Sequence, residues 1–153
     1  MTYSDELREF IKGWEAPSGA LLEPHWDDIG KVWDIGFGHV LHGDEDRREI
    51  TTVEAELLLD WDLHLFDDGV SSLVTVPIAQ CCYDALVSFS YNVGLRALGA
   101  STLLGYVNDC RDDEAAAQFM EWVRAKGKII PGLVKRRNAE REMYLYGSYE
   151  GRP

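Results

Sequence analysis

A chain of 153 residues, 46% hydrophobic and 27% charged, has enough apolar residues to bury the core of one domain and is not a disordered chain. Its formal net charge of -12 argues against a nucleic-acid partner, whose phosphates it would repel, and against anionic membrane surfaces. No apolar run approaches the roughly 20 residues of a membrane span, so membrane insertion is not expected.

The first residues, Met1-Thr2-Tyr3-Ser4-Asp5-Glu6, lack the basic and apolar regions of a signal peptide. Cys81, Cys82 and Cys110 are odd in number, and adjacent cysteines rarely bridge each other. They read as reduced thiols in a chain made in the cytoplasm, with Cys81 and Cys82 packed in a helix core.

Residues 4–14 place Leu7, Phe10, Ile11 and Trp14 at helical spacing behind Ser4 as N-cap. Glu15 ends that helix, ahead of Ala16-Pro17-Ser18-Gly19, where the negative end of the helix dipole disfavours a carboxylate. Residues 25–40, H-W-D-D-I-G-K-V-W-D-I-G-F-G-H-V, follow the period of two of a hairpin around a turn at Ile29-Gly30-Lys31, with Gly30 expected to supply a positive φ. Asp27, Asp28 and Asp34 crowd this hairpin among aromatics. Like charges clustered so closely add nothing to a fold, so they call for a ligand, a proton or a cation. The G-F-G-H run at 36–39 suggests a backbone that something approaches closely.

Residues 42–49 form a charged loop without the glycine and glutamate placement of an EF-hand, and no metal site is assigned. Thr51 with Glu54 reads as a capping box opening a helix through Leu57, Leu58, Trp61 and Leu65 to Asp67 or Asp68. Pro77 is expected to open the next helix, whose residues 79–93 are apolar almost all round and form the buried centre, ended by Gly94. Helical segments follow at 101–107 and 112–122, then a loop at 127–131 with Gly127 as C-cap. A last helix at 132–145 carries Lys135, Arg136, Arg137 and Arg141. The expected class is α+β: a small β-hairpin lobe (about 16–50), a connecting helix (about 52–68) and a larger helical lobe (1–15 plus about 70–146), all in one domain (1–153).

With these pieces in order, the chain resembles the phage-type lysozymes, glycoside hydrolase family twenty-four, from about Phe10 to Tyr146. The family's I-K-x-x-E appears as Ile11-Lys12-Gly13-Trp14-Glu15, and its G-x-W-T-I-G-Y-G-H hairpin as Gly30 to His39 with one extra turn residue. The I-T-x-x-E-A-E segment matches from Ile50, A-L-x-S-F-x-x-N-V-G from Ala85, S-T-L-L from Ser101, and G-L-x-x-R-R-x-A-E from Gly132. The resemblance implies a two-lobed lysozyme-like fold and hydrolysis of the β-1,4 bond between N-acetylmuramic acid and N-acetylglucosamine in peptidoglycan, without a cofactor.

By the same resemblance Glu15 is the general acid, and neighbouring carboxylates and the helix end are expected to favour its protonated form. The family aspartate falls on Asp28, or on Asp27 if counted from Gly30. Asp34 stands where the family has threonine. A carboxylate there can take a proton from water or attack directly, whereas threonine can only orient water. A separation from Glu15 of about 5–5.5 Å implies retention of configuration, and about 6.5–9.5 Å implies inversion. Asn92, Trp33 and Phe37 are assigned to substrate binding. His39 with Asp62 ties the hairpin to the connecting helix, Arg137 is structural support, and Arg136 or Arg137 approaches Glu15 or Asp84. Trp122 is core.

The implied partner is the peptidoglycan glycan strand. The protein would act as a monomeric endolysin on the bacterial wall after release by lysis or a holin. Two other readings compete: a glycan-binding relative that has lost turnover, and a chitosanase-like hydrolase suited by its acidity to a cationic polymer.

Overall fold

The computed structural model describes the whole chain except residues 29, 44–46 and 152. Ile29, the first residue of the expected hairpin turn, and the most acidic part of the 42–49 loop therefore lie outside the described residues.

Helix α1 (Asp5–Glu15) begins where Ser4 Oγ accepts the Leu7 N–H at 3.1 Å, and it buries Leu7, Phe10 and Ile11 on one face. Its amide run stops at Ala16, ahead of Pro17. Strands β1 (Leu21–Asp27), β2 (Val32–Gly36) and β3 (His39–Leu41) form an antiparallel sheet in that order. The third strand goes beyond the expected hairpin. His25 pairs with Asp34 and Trp26 with Trp33, so Asp34 shares a face with His25 and not with Trp26. In the turn the left-handed backbone falls on Lys31 (φ 57°). At Gly30 a Cβ would stand 2.6 Å from Asp27 Oδ2, so a side chain there would displace the Asp27 carboxylate.

Helix α2 (Thr52–Leu73) starts with a complete capping box between Thr51 and Glu54. It runs past the expected stop, through Gly69, where a Cβ would meet Leu95 Cδ1 at 2.4 Å. Its buried ridge is Ala55, Leu59, Leu63 and Val70, while Val53, Leu57, Trp61 and Leu65 line the exposed side. Two apolar rows at helical spacing compete for the core, and the row packed on α3 and β2 wins.

Helix α3 (Gln80–Val93) is buried from Tyr83 to Ser90 and packs chiefly on the last helix and on α2. Ala79 is its N-cap, so Pro77 lies outside it, and Gly94 (φ 91°) ends it. Short helices α4 (Leu95–Gly99), α5 (Thr102–Asn108) and α6 (Asp112–Gln118) follow, α4 having no counterpart among the expected elements. A 3₁₀ turn at Phe119–Glu121 sets Trp122 edge-on to Phe89 at the core boundary. The expected loop near Gly127 is instead a two-stranded hairpin, β4 (Arg124–Ala125) and β5 (Lys128–Ile129). Its turn residues Lys126 (φ 49°) and Gly127 (φ 78°) both take positive φ, which suits the twist of a tight hairpin. Helix α7 (Pro131–Tyr146) opens on Pro131 and closes on left-handed Gly147.

Buried carboxylates tie the N-terminus to this framework. Asp84 accepts from Ser4 N, Ser4 Oγ, Gln80 Nε2 and the Tyr149 hydroxyl, at 2.5 to 3.2 Å. Asp67 accepts from Tyr3 N and the Tyr83 hydroxyl, both at 2.9 Å.

Candidate active site

Glu15, the last residue of α1, is 22% exposed at its side chain. Its Oε1 accepts a 2.6 Å hydrogen bond from Arg136 Nη1 on α7. The charged group bonded to Glu15 is therefore one of the two arginines expected to approach it. Its Oε2 faces the β2–β3 turn, where a methyl group on Gly38 (φ 92°) would sit 3.8 Å away. Glycine suits position 38 because of the left-handed backbone; a methyl group there would meet the carboxylate only at ordinary contact distance.

Behind Glu15 runs a chain of alternating charges. Arg136 Nε donates to Glu140 Oε1 at 3.2 Å, and the Ser88 hydroxyl donates to the same oxygen at 2.8 Å. Arg137 Nε lies 3.0 Å from Glu140 Oε2, Arg137 Nη2 donates to Asn92 Oδ1 at 2.7 Å, and the guanidinium stacks 4.8 Å over Phe89. Burial pushes the Glu140 carboxyl up, against the pull of both guanidiniums and Ser88. Burial also lowers Arg137; at Arg136 it is outweighed by Glu15 and Glu140, which hold that group above its ordinary value. Of the two arginines considered for Glu15, Arg136 makes the contact. Arg137 anchors Asn92, and Asp84 meets neither in a salt bridge because its oxygens are taken by Ser4, Gln80 and Tyr149.

Asn92 is exposed with its carbonyl oxygen held by Arg137, so its amide N–H groups are what it can offer to a ligand. Phe37 differs from expectation. Its ring is 5% exposed and belongs to the core, and its carbonyl accepts from the Tyr91 hydroxyl at 3.2 Å. It packs beneath the glycine turn, with Lys12 Nζ 5.6 Å from its ring centroid. Trp33 is also displaced, because neighbouring residues on a strand point to opposite faces. It lies across the sheet from Asp34, against Trp26 at 5.5 Å and under Arg47 at 5.3 Å.

The hairpin carboxylates separate into distinct settings. Asp27, the last residue of β1, turns back to accept the Gly30 N–H at 2.8 Å. Asp28 lies beyond the strand, 85% exposed, with Trp26 Nε1 at 3.2 Å and Lys31 Nζ at 3.5 Å. Asp34, 24% exposed in mid-sheet, has His25 Nδ1 3.1 Å from its Oδ1. His25 is the partner that the sequence did not disclose: a turn centred on Gly30 would set Asp34 opposite Trp26, whereas the observed register, with Asp27 opposite Val32, sets it opposite His25. His39 Nδ1 meets Asp62 of α2 at 2.9 Å with both side chains mostly buried, which pins the sheet to that helix. Among the described residues no group of His, Cys, Asp and Glu side chains is arranged to hold a metal ion.

The phage lysozyme family model matches residues 17–140, a span that starts two positions after Glu15. An endolysin of Bacillus phage B103 is 45% identical over 117 residues, 76% of this chain and 44% of that protein. The chain thus spans less than half the length of the Bacillus phage endolysins that it matches. An endolysin of Salmonella phage P22 is 37% identical over 131 residues, covering 83% of this chain and 88% of that protein. Among solved structures, the muramidase domain of SpmX from Asticaccaulis excentricus superposes with a TM-score of 0.83 at 32% identity, covering 94% of this chain and 97% of that one. That superposition takes in nearly the whole chain and the family model most of it: the protein belongs to the phage lysozyme family.

Proposed function

We propose that the chain is an endolysin-type muramidase that hydrolyses the β-1,4 bond between N-acetylmuramic acid and N-acetylglucosamine of peptidoglycan. The observation that carries the reading is the placement of Glu15. It is a carboxyl at a helix end, fixed by Arg136 and lying against a glycine turn of the sheet that bears Asp34. A carboxyl held but not buried can give a proton to a bound glycosidic oxygen, and a second carboxylate on the facing sheet can serve water.

In the inverting form of the reaction, Glu15 donates its proton to the leaving oxygen as the C1–O bond breaks. Water forms the new bond to C1 from the opposite face and gives its proton to Asp34. Exchange with solvent then returns the proton to Glu15. In the retaining form, Asp34 attacks C1 as the C1–O bond breaks and Glu15 protonates the leaving oxygen; water, giving a proton to Glu15, then cleaves the glycosyl ester and frees Asp34. Asp27 and Asp28 serve the turn in this reading, Asp27 by capping Gly30, with Asp28 as the family aspartate by motif. Asn92 offers its amide to an acetamido oxygen, and wall access follows release by lysis or a holin. No helix of the described residues is long and apolar enough to cross a membrane.

Clearing of a peptidoglycan suspension tests the activity. Wild type should clear it, and Glu15→Gln, which cannot act as an acid, should lose at least about 10²-fold. Equal clearing by both would sink the assignment, and binding without clearing by wild type would favour the glycan-binding reading. NMR of the product anomer separates inversion from retention, and unchanged turnover in Asp34→Asn removes Asp34 from either role.

A further inference from the structure

Asp34 occupies an awkward place for its residue type, the middle strand of a three-stranded sheet, where aspartate is a poor fit. Antiparallel register puts it directly opposite His25, so the two side chains rise on the same face, and His25 Nδ1 stands 3.1 Å from Asp34 Oδ1. His25 is 60% exposed and Asp34 24%, so the pair sits at the surface of the sheet, open to a ligand. Among the described residues, no donor engages Asp34 Oδ2. One carboxylate oxygen is held and the other is open.

We propose that His25 is a positioning residue for the reaction: its Nδ1–H donates to Asp34 Oδ1 and so aims Oδ2 at the attacking water or at C1. The inference rests on the muramidase reading. Its physical basis is the difference between aspartate and a β-branched side chain. The carboxylate of aspartate swings over a broad range about χ2, whereas threonine is held stiffly at χ1. A carboxylate in this position needs an external hold to present one oxygen in one direction. A donor in register on the neighbouring strand provides it, since both backbones are already fixed by the sheet. Neutral imidazole with its proton on Nδ1 is sufficient for this task.

The test measures kcat and KM for release of reducing ends from solubilised peptidoglycan strands by the whole chain, with Glu15→Gln as the blank. His25→Ala should lower kcat by about 10-fold to about 10²-fold, the scale of a small misplacement of a reacting group, with KM nearly unchanged. His25→Asn places an amide N–H where Nδ1 stood and should recover about half of the lost rate or more. In an Asp34→Thr background, His25→Ala should add no further loss. Nitrogen NMR of the His25 imidazole needs no turnover: it should show the Nδ1–H tautomer in wild type and a mixture in Asp34→Asn. Full activity in His25→Ala, an Asn variant as impaired as Ala, the same loss in both backgrounds, or an imidazole indifferent to Asp34→Asn would each overturn the proposal. If wild type fails to clear, or Glu15→Gln clears equally well, the muramidase reading falls and takes this one with it. An active wild type with a dead Glu15→Gln and an unaffected His25→Ala rejects His25 alone.

Discussion

Arg136 reaches two carboxylates with one guanidinium, Nη1 on Glu15 and Nε on Glu140, and Glu140 is fully buried. The planar fork makes this possible; a lysine ammonium on a flexible stem cannot hold both at once. Removing the guanidinium would leave Glu140 to Arg137 and Ser88 while its burial cost stays. We expect Arg136→Met to lower stability by about 3 kcal/mol, read as a shift of the urea midpoint at constant slope. Arg136→Lys should recover only part of it. A loss under about 1 kcal/mol in Arg136→Met would mean that Arg137 alone neutralises Glu140.

Helix α2 links the sheet to the helical lobe through its start, through His39–Asp62, and through salt bridges from α1 (Arg8 to Asp60, Lys12 to Glu56). At its start, Arg48 and then the Thr51 backbone and hydroxyl hold the Glu54 carboxyl down at about 2. The folded value lies below the ordinary 4.5, so the ionised form supports the fold. That support is complete above 4.5 and is lost as pH falls toward 2. Thr51→Ala should cost about 1 kcal/mol in thermal melts at neutral pH. Its deficit relative to wild type should shrink across that acid window, and a deficit independent of pH would deny the coupling. Farther along, Gly69→Ala pits helix propensity, a gain of about 1 kcal/mol, against overpacking on Leu95, a loss of about 1–3 kcal/mol. With Leu95 Cδ1 at 2.4 Å and Cγ at 3.0 Å from the new methyl, the clash should win. A lower Tm is expected, and a higher one would show that Leu95 can turn aside.

At the scale of the molecule, a formal charge of -12 opposes approach to an anionic wall polymer. Surface pairs such as Arg111–Glu114 are local and do not change that total. For the proposed muramidase, screening should therefore help: clearing should speed up as ionic strength rises from about 0.01 M to about 0.15 M, mainly through KM. A rate that falls over this range would show that encounter is governed by a basic patch near Glu15 and Arg136, not by net charge.

Local chemistry explains what could be read from the chain in order. The Ser4 cap, the Thr51–Glu54 box, the alternation through 25–40 and the apolar α3 each depend on residues a few positions apart. Glu15 could be named because a family motif surrounds it, and its site at a helix end followed from Pro17 nearby. Other features depended on partners distant in sequence. Two apolar rows on α2 look alike until α3 and β2 cover one of them, and Gly69 looks like a stop until Leu95 fills the space beside it. Arg136 and Arg137 are adjacent, so a helix turn of about 100° decides which meets Glu15. Hairpin register gave Asp34 its histidine and turned Trp33 away, and core packing drew Phe37 inside. Short-range hydrogen bonding and periodicity are written along the chain. Which face is buried, and which charge answers which, depends on contacts that exist only once the lobes close.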